Sequence, residues 1–539
     1  MAGKIQWTQS QQSAISARGS SLAVSAAAGS GKTAVLTQRI IEKLQNGGAI
    51  SRMLVVTFTN DAASDLREKI RSALSKSLLD NPESMHMSRQ LVRLSGAKIS
   101  TISSFCLSLV KSNFQLAGLP SDFSVLSDTQ DILLRKNVAD ELISDFFFDR
   151  VSEEEANIKN FSSFADTFGK PGDDEALADS VSKIYDKLSS TAKFIDTLKD
   201  YIDDLEDAST DIGRTKFGES VLDYIEKMCS HYGAIFNSLV SYTSEHDEVS
   251  GYAEAFSDDA AFLDEIRREI AEKAPFDKVR NMFLSHSFTK LGRAAKGYVP
   301  TAYVSFCRAA RDDFKTEYKS LCEKIFVFGS EVASEGRELL KASLCDLYEF
   351  MKIYKRRLDS QKRQRHAISF SDIEHKALSL TVENGGAPTP LALAMREDFD
   401  EIYIDEYQDT NEVQDKIFTA LSKGDNRFVV GDVKQCIYAF RSADPSIFEE
   451  LIGRSEKYSD ECAAKEQKVF LSQNFRSTDE ILEFSNAVFE MQMERGGVMA
   501  YGKDERLYGT GKHGDKTHVA VCLKELSDDT EPEAEYGAE

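Results

Sequence analysis

Ala26-Ala27-Ala28-Gly29-Ser30-Gly31-Lys32-Thr33 is the stretch on which the fold turns. The short run Ser21–Ser25 before it carries Leu22 and Val24 and reads as a strand. The residues after Lys32, through Arg39, Ile40 and Ile41, alternate apolar and polar at helical spacing. Strand, glycine-rich loop and helix in that order is the setting a phosphate-binding loop needs. Glycines let the backbone curl until several N–H groups face one point, and the helix N-terminus adds positive potential there. Lys32 can then reach outer phosphates, and the Thr33 hydroxyl can ligate Mg²⁺. The pattern usually opens with Gly, and this chain has Ala26 there.

Bulk properties set the frame around this loop. At 539 residues the chain exceeds one compact core, and 41% hydrophobic residues suffice for ordinary cores. No apolar run is long enough to span a membrane and no signal-peptide pattern opens the chain, so a soluble cytoplasmic protein is expected. Eight cysteines stand singly, without metal-ligand spacing, and read as buried reduced thiols. The net charge of −23 argues against whole-molecule attraction to nucleic acid but leaves room for a local basic groove. Lys278–Lys296 and Lys352–Arg365 are the two basic stretches, each equally readable as a solvated helix face.

Along the chain, residues 1–125 alternate strands and helices, with Met53-Leu54-Val55-Val56-Thr57 as a buried strand. Residues 126–364 carry charges at helical spacing and few strand-like runs, which predicts a helical insertion. Strands return at Asp400–Ile404, Arg427–Val430 and Lys468–Leu471. The expected class is therefore α/β, a parallel sheet of the P-loop type interrupted by a large helical insertion.

The apolar run Ile402-Tyr403-Ile404 leads straight into Asp405-Glu406-Tyr407-Gln408-Asp409. A carboxylate at the end of a strand beside the phosphate loop can support Mg²⁺, and the adjacent Glu406 can orient and deprotonate an attacking water. Three further segments stand in order with these: Trp7–Ile15 upstream of the loop, Gly431–Arg441, and Gln473-Asn474-Phe475-Arg476-Ser477. Phe58, Tyr438 and Phe440 read either as ordinary core aromatics or as platforms for bases.

Together these ordered motifs resemble superfamily 1 helicases of the UvrD/Rep type. The variants Ser25–Thr33, Thr101-Ile102-Ser103-Ser104-Phe105-Cys106 and Gly431–Phe448 most resemble the AddA family, whose members are subunits of the bacterial ATP-dependent helicase–nucleases. That family tolerates Ala at the position of Ala26. The resemblance implies roles residue by residue. Gln11 would read the adenine edge, with Arg39 and Phe475 sandwiching the ring. The loop Ala26, Ala27, Ala28, Gly29, Ser30, Gly31, Lys32 and Thr33 would hold ATP, with Thr33 and Asp405 on Mg²⁺. Glu406 would be the catalytic base, Gln435 would link the γ-phosphate to the DNA site, and Arg476 would reach the γ-phosphate from a second motor domain. Phe58, Thr59 and Asn60 would grip single-stranded DNA, Tyr438 and Phe440 would stack bases, and Arg441 would hold phosphate or brace the site. Two departures stand out: Ser103 replaces a usual His, and Asp61 replaces a residue that is often basic or small.

The implied domains are a first motor domain (1–125 and 365–465), the insertion (126–364) and the start of a second motor domain (466–539). The later helicase motifs and any nuclease domain are missing, so the chain reads as an N-terminal fragment. The implied activity is ATP-driven 3′→5′ translocation on single-stranded DNA and unwinding at double-strand breaks for recombinational repair. Single-stranded and duplex-end DNA would be the substrates, and the other, B-type subunit of the helicase–nuclease would be the heterodimer partner. The alternatives are a free-standing UvrD-like helicase without nuclease or, for this chain, a non-hydrolysing nucleotide- and DNA-binding module.

Overall fold

In the computed structural model the described residues are 6–152, 158, 161–170, 173–206, 211–298, 300–438, 443–459, 461–496, 501, 502 and 504–511. The strands are β1 (Ser21–Ala26), β2 (Met53–Thr57), β3 (Lys98–Thr101), β4 (Ser124–Val125), β5 (Ala367–Ile368), β6 (Glu401–Asp405), β7 (Arg427–Gly431), β8 (Glu456–Lys457) and β9 (Glu466–Leu471). Seven of them form one parallel sheet in the order β3-β2-β6-β7-β1-β9-β8. A parallel sheet buries both faces, which is why its strands read as near-continuous apolar runs.

The faces separate by the two-residue period of a strand. Val24, Val55, Tyr403, Phe428 and Val430 point to one side, where helices Gln9–Ser16, Lys32–Gln45 and Asn60–Asp80 pack. Ala23, Leu54, Ile402, Ile404 and Val429 point to the other, under helices Ile102–Ser112, Phe370–Thr381 and Glu412–Leu421. The sheet is thus a three-layer core with all its strand C-termini on one edge.

One expected boundary moves. Residues 466–471 pair along their whole length with β1, so this strand belongs to the first sheet and not to the start of a second domain. The backbone ladder from Ser21–Glu466 to Ala26–Leu471 leaves no room for a domain break before Leu471. The chain then runs over the sheet edge into helix Asp479–Gly496, where Leu482 and Leu507 close over Ala27.

The insertion leaves and rejoins the sheet domain at β4 and β5, which pair with each other. It holds two cores. The inner one joins helices Asp128–Phe147 and Asp174–Ser189 to the last turns of the 35-residue helix Ser330–Gln364. The outer one is formed by helices Lys216–Glu245, Ala253–Ala271, Phe276–Ser285 and Ala302–Lys324. Arg311 and Asp259 are both buried at its centre; Nη2 of Arg311 donates to Asp259 Oδ1 at 3.1 Å and to the Thr289 carbonyl at 2.7 Å. At the junction, buried Lys362 donates to Asp372 Oδ2 at 2.7 Å and Ser369 Oγ at 3.1 Å, and lies 3.4 Å from Asp131. One ammonium thereby ties the long helix to the helices on either side of the neck.

Candidate functional site

The C-terminal edge of a parallel sheet is where ligands bind in such folds, and the motif residues collect there. β1 ends at buried Ala26, and the loop turns through Gly29 (φ +70°) and Gly31 (φ +86°) into helix Lys32–Gln45. Gly31 is the N-cap in a left-handed conformation that a side chain would strain. Gly29 is constrained twice, because a Cβ there would lie 2.7 Å from Asn474 Nδ2 and 2.9 Å from Arg476 Cβ.

Lys32 Nζ donates to Glu406 Oε2 at 2.9 Å and to Gln435 Oε1 at 3.3 Å. These partners stand 374 and 403 residues beyond Lys32, and they meet it because β1, β7 and β6 are consecutive in the sheet. Glu406 adopts φ +52°, a strained conformation for a residue with a side chain. In a continued strand Asp405 and Glu406 would point to opposite faces. The left-handed turn after β6 breaks that alternation and brings the Glu406 carboxylate to Lys32. Asp405 stays buried and accepts from the Glu406 N–H at 3.0 Å. Burial, reinforced by the Glu406 charge and opposed by Lys32, pushes the Asp405 carboxyl up to about 6. Asp405 and Thr33 supply only oxygen donors, the ligand chemistry Mg²⁺ takes, so the residues fit that ion.

Sequence reasoning gives Gln408 no role, although it lies inside the acidic run. Its amide Nε2 donates to Glu406 Oε2 at 2.9 Å and to Asp409 Oδ2 at 3.2 Å, and its Oε1 accepts from the Asp432 N–H at 3.0 Å. Asp432 in turn accepts from Gln435 Nε2 at 2.7 Å and pairs with Lys434 at 2.8 Å. Burial first, then the nearby Glu406 charge, raises Asp409 to about 6. The segment after β7 is thus wired to Glu406 through two amides and a buried carboxylate.

Asn474 has no role that its motif position announces, and it is the latch of the loop. Its Nδ2 donates to the Ala28 carbonyl at 2.6 Å, while its Oδ1 accepts from the N–H groups of Arg476 and Ser477, both at 2.8 Å. The Phe475 N–H donates to the Gly29 carbonyl at 3.0 Å. Phe475 and Arg476 are exposed at the rim of the loop.

Gln11 is buried; its Nε2 donates to the Ser30 carbonyl at 2.9 Å and its Oε1 accepts from the Thr8 N–H at 3.0 Å. A cavity of about 280 Å³ opens beside it, walled by Thr8–Gln11, Ser30, Leu471–Gln473 and Tyr508. Tyr508 is brought to this wall by pairing of its backbone with Ser472 and Asn474, which no sequence spacing announces.

Arg39 must be reassigned. It does not flank Phe475 or open onto the cleft. Seven residues along the helix from Lys32, it sits about 10 Å further down the sheet at 1.5 Å per residue. There it is buried, donating to the Ala14 carbonyl at 2.8 Å and to Glu401 at 3.3 Å, with its guanidinium 4.8 Å from the Phe428 ring centre. Glu401 opens β6 at the opposite sheet edge, so Arg39 is a core ion-pair residue.

Beyond β2 and β7, Phe58 and Tyr438 face one another with ring centres 4.7 Å apart and planes at 31°. Thr59 caps helix Asn60–Asp80 by accepting from the Ala62 N–H at 3.2 Å, and Asn60 is exposed at its start. Ser103 lies near Glu374, whose carboxylate accepts from Gln414 Nε2 at 2.9 Å. Phe440 and Arg441 lie outside the described residues. Among the described residues no helix is long and apolar enough to cross a membrane.

The family model of the UvrD/REP helicase N-terminal domain matches residues 7–455. The chain is also similar to proteins named as a subunit of an ATP-dependent helicase/nuclease. It is 34% identical over 519 residues to that of Thermoanaerobacter pseudethanolicus, covering 93% of this chain and 41% of the relative. With those of Clostridium kluyveri and Acetivibrio thermocellus the identities are 33% and 32%, each over 94% of this chain and 41% of the relative. The chain therefore spans about two-fifths of the length of these curated relatives.

Proposed function

The chain belongs to the UvrD/REP helicase family, and from that premise we propose that it is the ATP-binding part of an ATP-driven DNA helicase. The observation that carries this reading is the meeting of Lys32, Glu406 and Gln435 at the end of three adjacent parallel strands. Lys32 would leave Glu406 for the outer phosphates of ATP. Glu406 would then be free to take a proton from the attacking water, with Gln408 still donating to the same oxygen, Oε2, that Lys32 had left. Thr33 and Asp405 would hold Mg²⁺, which neutralises phosphate charge. The adenine would enter the cavity beside Gln11, with Tyr508 on its wall and the exposed Phe475 at the rim of the loop as aromatic surfaces in place of Arg39.

The same reading explains the second half of the site. Gln435 stands between Lys32 and the segment that leads to Tyr438. Nucleotide state at Lys32 would thus bear on the Phe58–Tyr438 pair, where bases of a single strand would insert and stack. Stacking on such rings contributes about 1–3 kcal/mol per base without regard to sequence. Arg476 on the rim would add positive charge to the transition state when the cleft closes. Movement along the strand in the 3′→5′ direction, unwinding at double-strand breaks, a nuclease activity and assembly into a heterodimer with the B-type partner belong to this proposal at the level of the whole protein. The names of the relatives support helicase, nuclease and subunit character.

The test is ATP hydrolysis by the chain with and without single-stranded DNA, alongside Lys32→Ala. DNA-stimulated turnover that disappears in Lys32→Ala is the expected result. Turnover untouched by that substitution would sink the reading.

A further inference from the structure

A second cavity, of about 570 Å³, lies at the neck where the insertion joins the sheet domain. Its walls come from both parts: Phe194, Lys355 and Arg363 from the insertion, and Leu119, His375 and Lys376 from the sheet domain. The proposed ATP site and the Phe58–Tyr438 pair use none of these residues.

Its charge is uneven in a chain whose net charge is −23. Lys355 is paired with Asp359 at 2.6 Å and Lys362 with Asp372 at 2.7 Å. Lys376 donates instead to a neutral group, the Ala117 carbonyl, at 2.7 Å, and makes none of the described ion pairs. Arg363 is exposed at the rim and makes none of the described ion pairs. Two cations thus face a space with an apolar floor, a combination suited to an anion that carries a flat apolar body.

The aromatic floor is held firmly. The Phe194 ring lies 4.9 Å from His375 and edge-on to Tyr185 at 5.2 Å, with Lys355 Nζ 5.3 Å from its centre. Phe194 adopts φ +52°, and His366 on the same wall adopts φ +48°. Five non-glycine residues among those described have positive φ; two line this cavity and a third is Glu406. Such strain collects where side chains are aimed for a purpose. His375 Nε2 lies 2.8 Å from the Ser189 carbonyl and must donate to it; burial favours the neutral ring, in which Nδ1 is left as an acceptor.

We propose that this neck cavity binds one nucleotide unit of a single DNA strand, with the base against Phe194 and the phosphate between Arg363 and Lys376. The proposal rests on the strand-binding reading above and adds a contact that bridges insertion and motor. A strand seated there would hold the insertion at a set angle to the sheet, because the two cations belong to different parts.

The experiment is equilibrium dialysis of a radiolabelled, 5′-phosphorylated thymidine dinucleotide against the chain at low salt, with saturating ATP to occupy the loop. Saturable binding is expected, weakened about tenfold by Arg363→Glu and about fivefold by Phe194→Leu, in line with losing one charge-assisted contact or one stacked base. Lys376→Gln keeps a donor for Ala117 and should weaken binding about threefold, with circular dichroism unchanged. The saturable binding that remains in Phe58→Ala, which disables the Phe58–Tyr438 pair, should show the same losses, and a 15-residue oligothymidylate should displace the dinucleotide. No saturable binding, binding indifferent to Arg363→Glu, or binding lost in Phe58→Ala would overturn the neck site. Failure of the oligonucleotide to compete would overturn its assignment to a strand. Failure of the motor reading would show separately, as ATP turnover indifferent to Lys32→Ala.

Discussion

The edge of the sheet and the core of the insertion both bury charged groups, but they do so in opposite ways. In the insertion, Arg311 and Asp259 are fully paired, and Arg311 spends a further N–H on a carbonyl. At the sheet edge, Lys32 shares its proton donors between Glu406 and an amide, Asp405 and Asp409 are raised by burial and like charge, and Glu406 sits on a strained backbone. In the first arrangement burial also raises the Asp259 carboxyl, but Arg311 opposes that shift through a hydrogen bond and its charge, and no like charge adds to it. The second is held short of its own best state, and a polyanion with a divalent cation would relieve it. The difference teaches that burial of charge by itself does not mark a site; incomplete compensation on a strained scaffold does.

Substitution can break this contrast. The largest effect is expected from Glu406→Gln, which should lower ATP turnover by about 10²–10⁴-fold, the contribution of a general base. Nucleotide affinity and unfolding should barely move, because the amide is isosteric; filter binding and urea unfolding check both. Next, Asp259→Ala should destabilise the insertion by about 3–5 kcal/mol by leaving a buried guanidinium unpaired, read as an early unfolding transition in urea. Asp259→Leu combined with Arg311→Met should recover most of that loss, since a closed pair can be replaced by apolar packing.

Two smaller effects sharpen the boundary between the regions. Arg39→Ala should cost about 2 kcal/mol of stability, below the full cost of breaking a buried pair, because Arg18 and Lys43 remain 3.7 and 3.6 Å from Glu401. It should leave nucleotide affinity unchanged in the same preparation; a selective loss of affinity would restore the adenine-stacking role. Asn474→Ala removes the latch on the Ala28 carbonyl and should weaken ATP binding by about 1–2 kcal/mol with little effect on unfolding. An isothermal titration with unchanged affinity would show that the loop holds its shape alone.

Much of this is legible without coordinates. The loop, the acidic run after an apolar strand and the helical insertion follow from periodicity and residue chemistry along the chain, which are local properties. Arg39 is misplaced by its motif because a motif gives spacing along a helix but not the direction in which that helix descends the sheet. The end of the first domain is misplaced because β9 pairs with β1, more than 440 residues away in sequence. Hydrogen-bond ladders between distant strands leave no periodic mark.

By itself, then, the sequence determined which residue types could handle phosphate, metal and proton, since those chemistries reside in individual side chains and short loops. Only the tertiary structure decided which of them meet. It brought Gln408, Asn474 and Tyr508 into the site, removed Arg39 from it, and joined insertion and sheet around a basic, aromatic neck. The physical reason is that contact depends on strand order and helix direction, and these are set by packing of the whole chain.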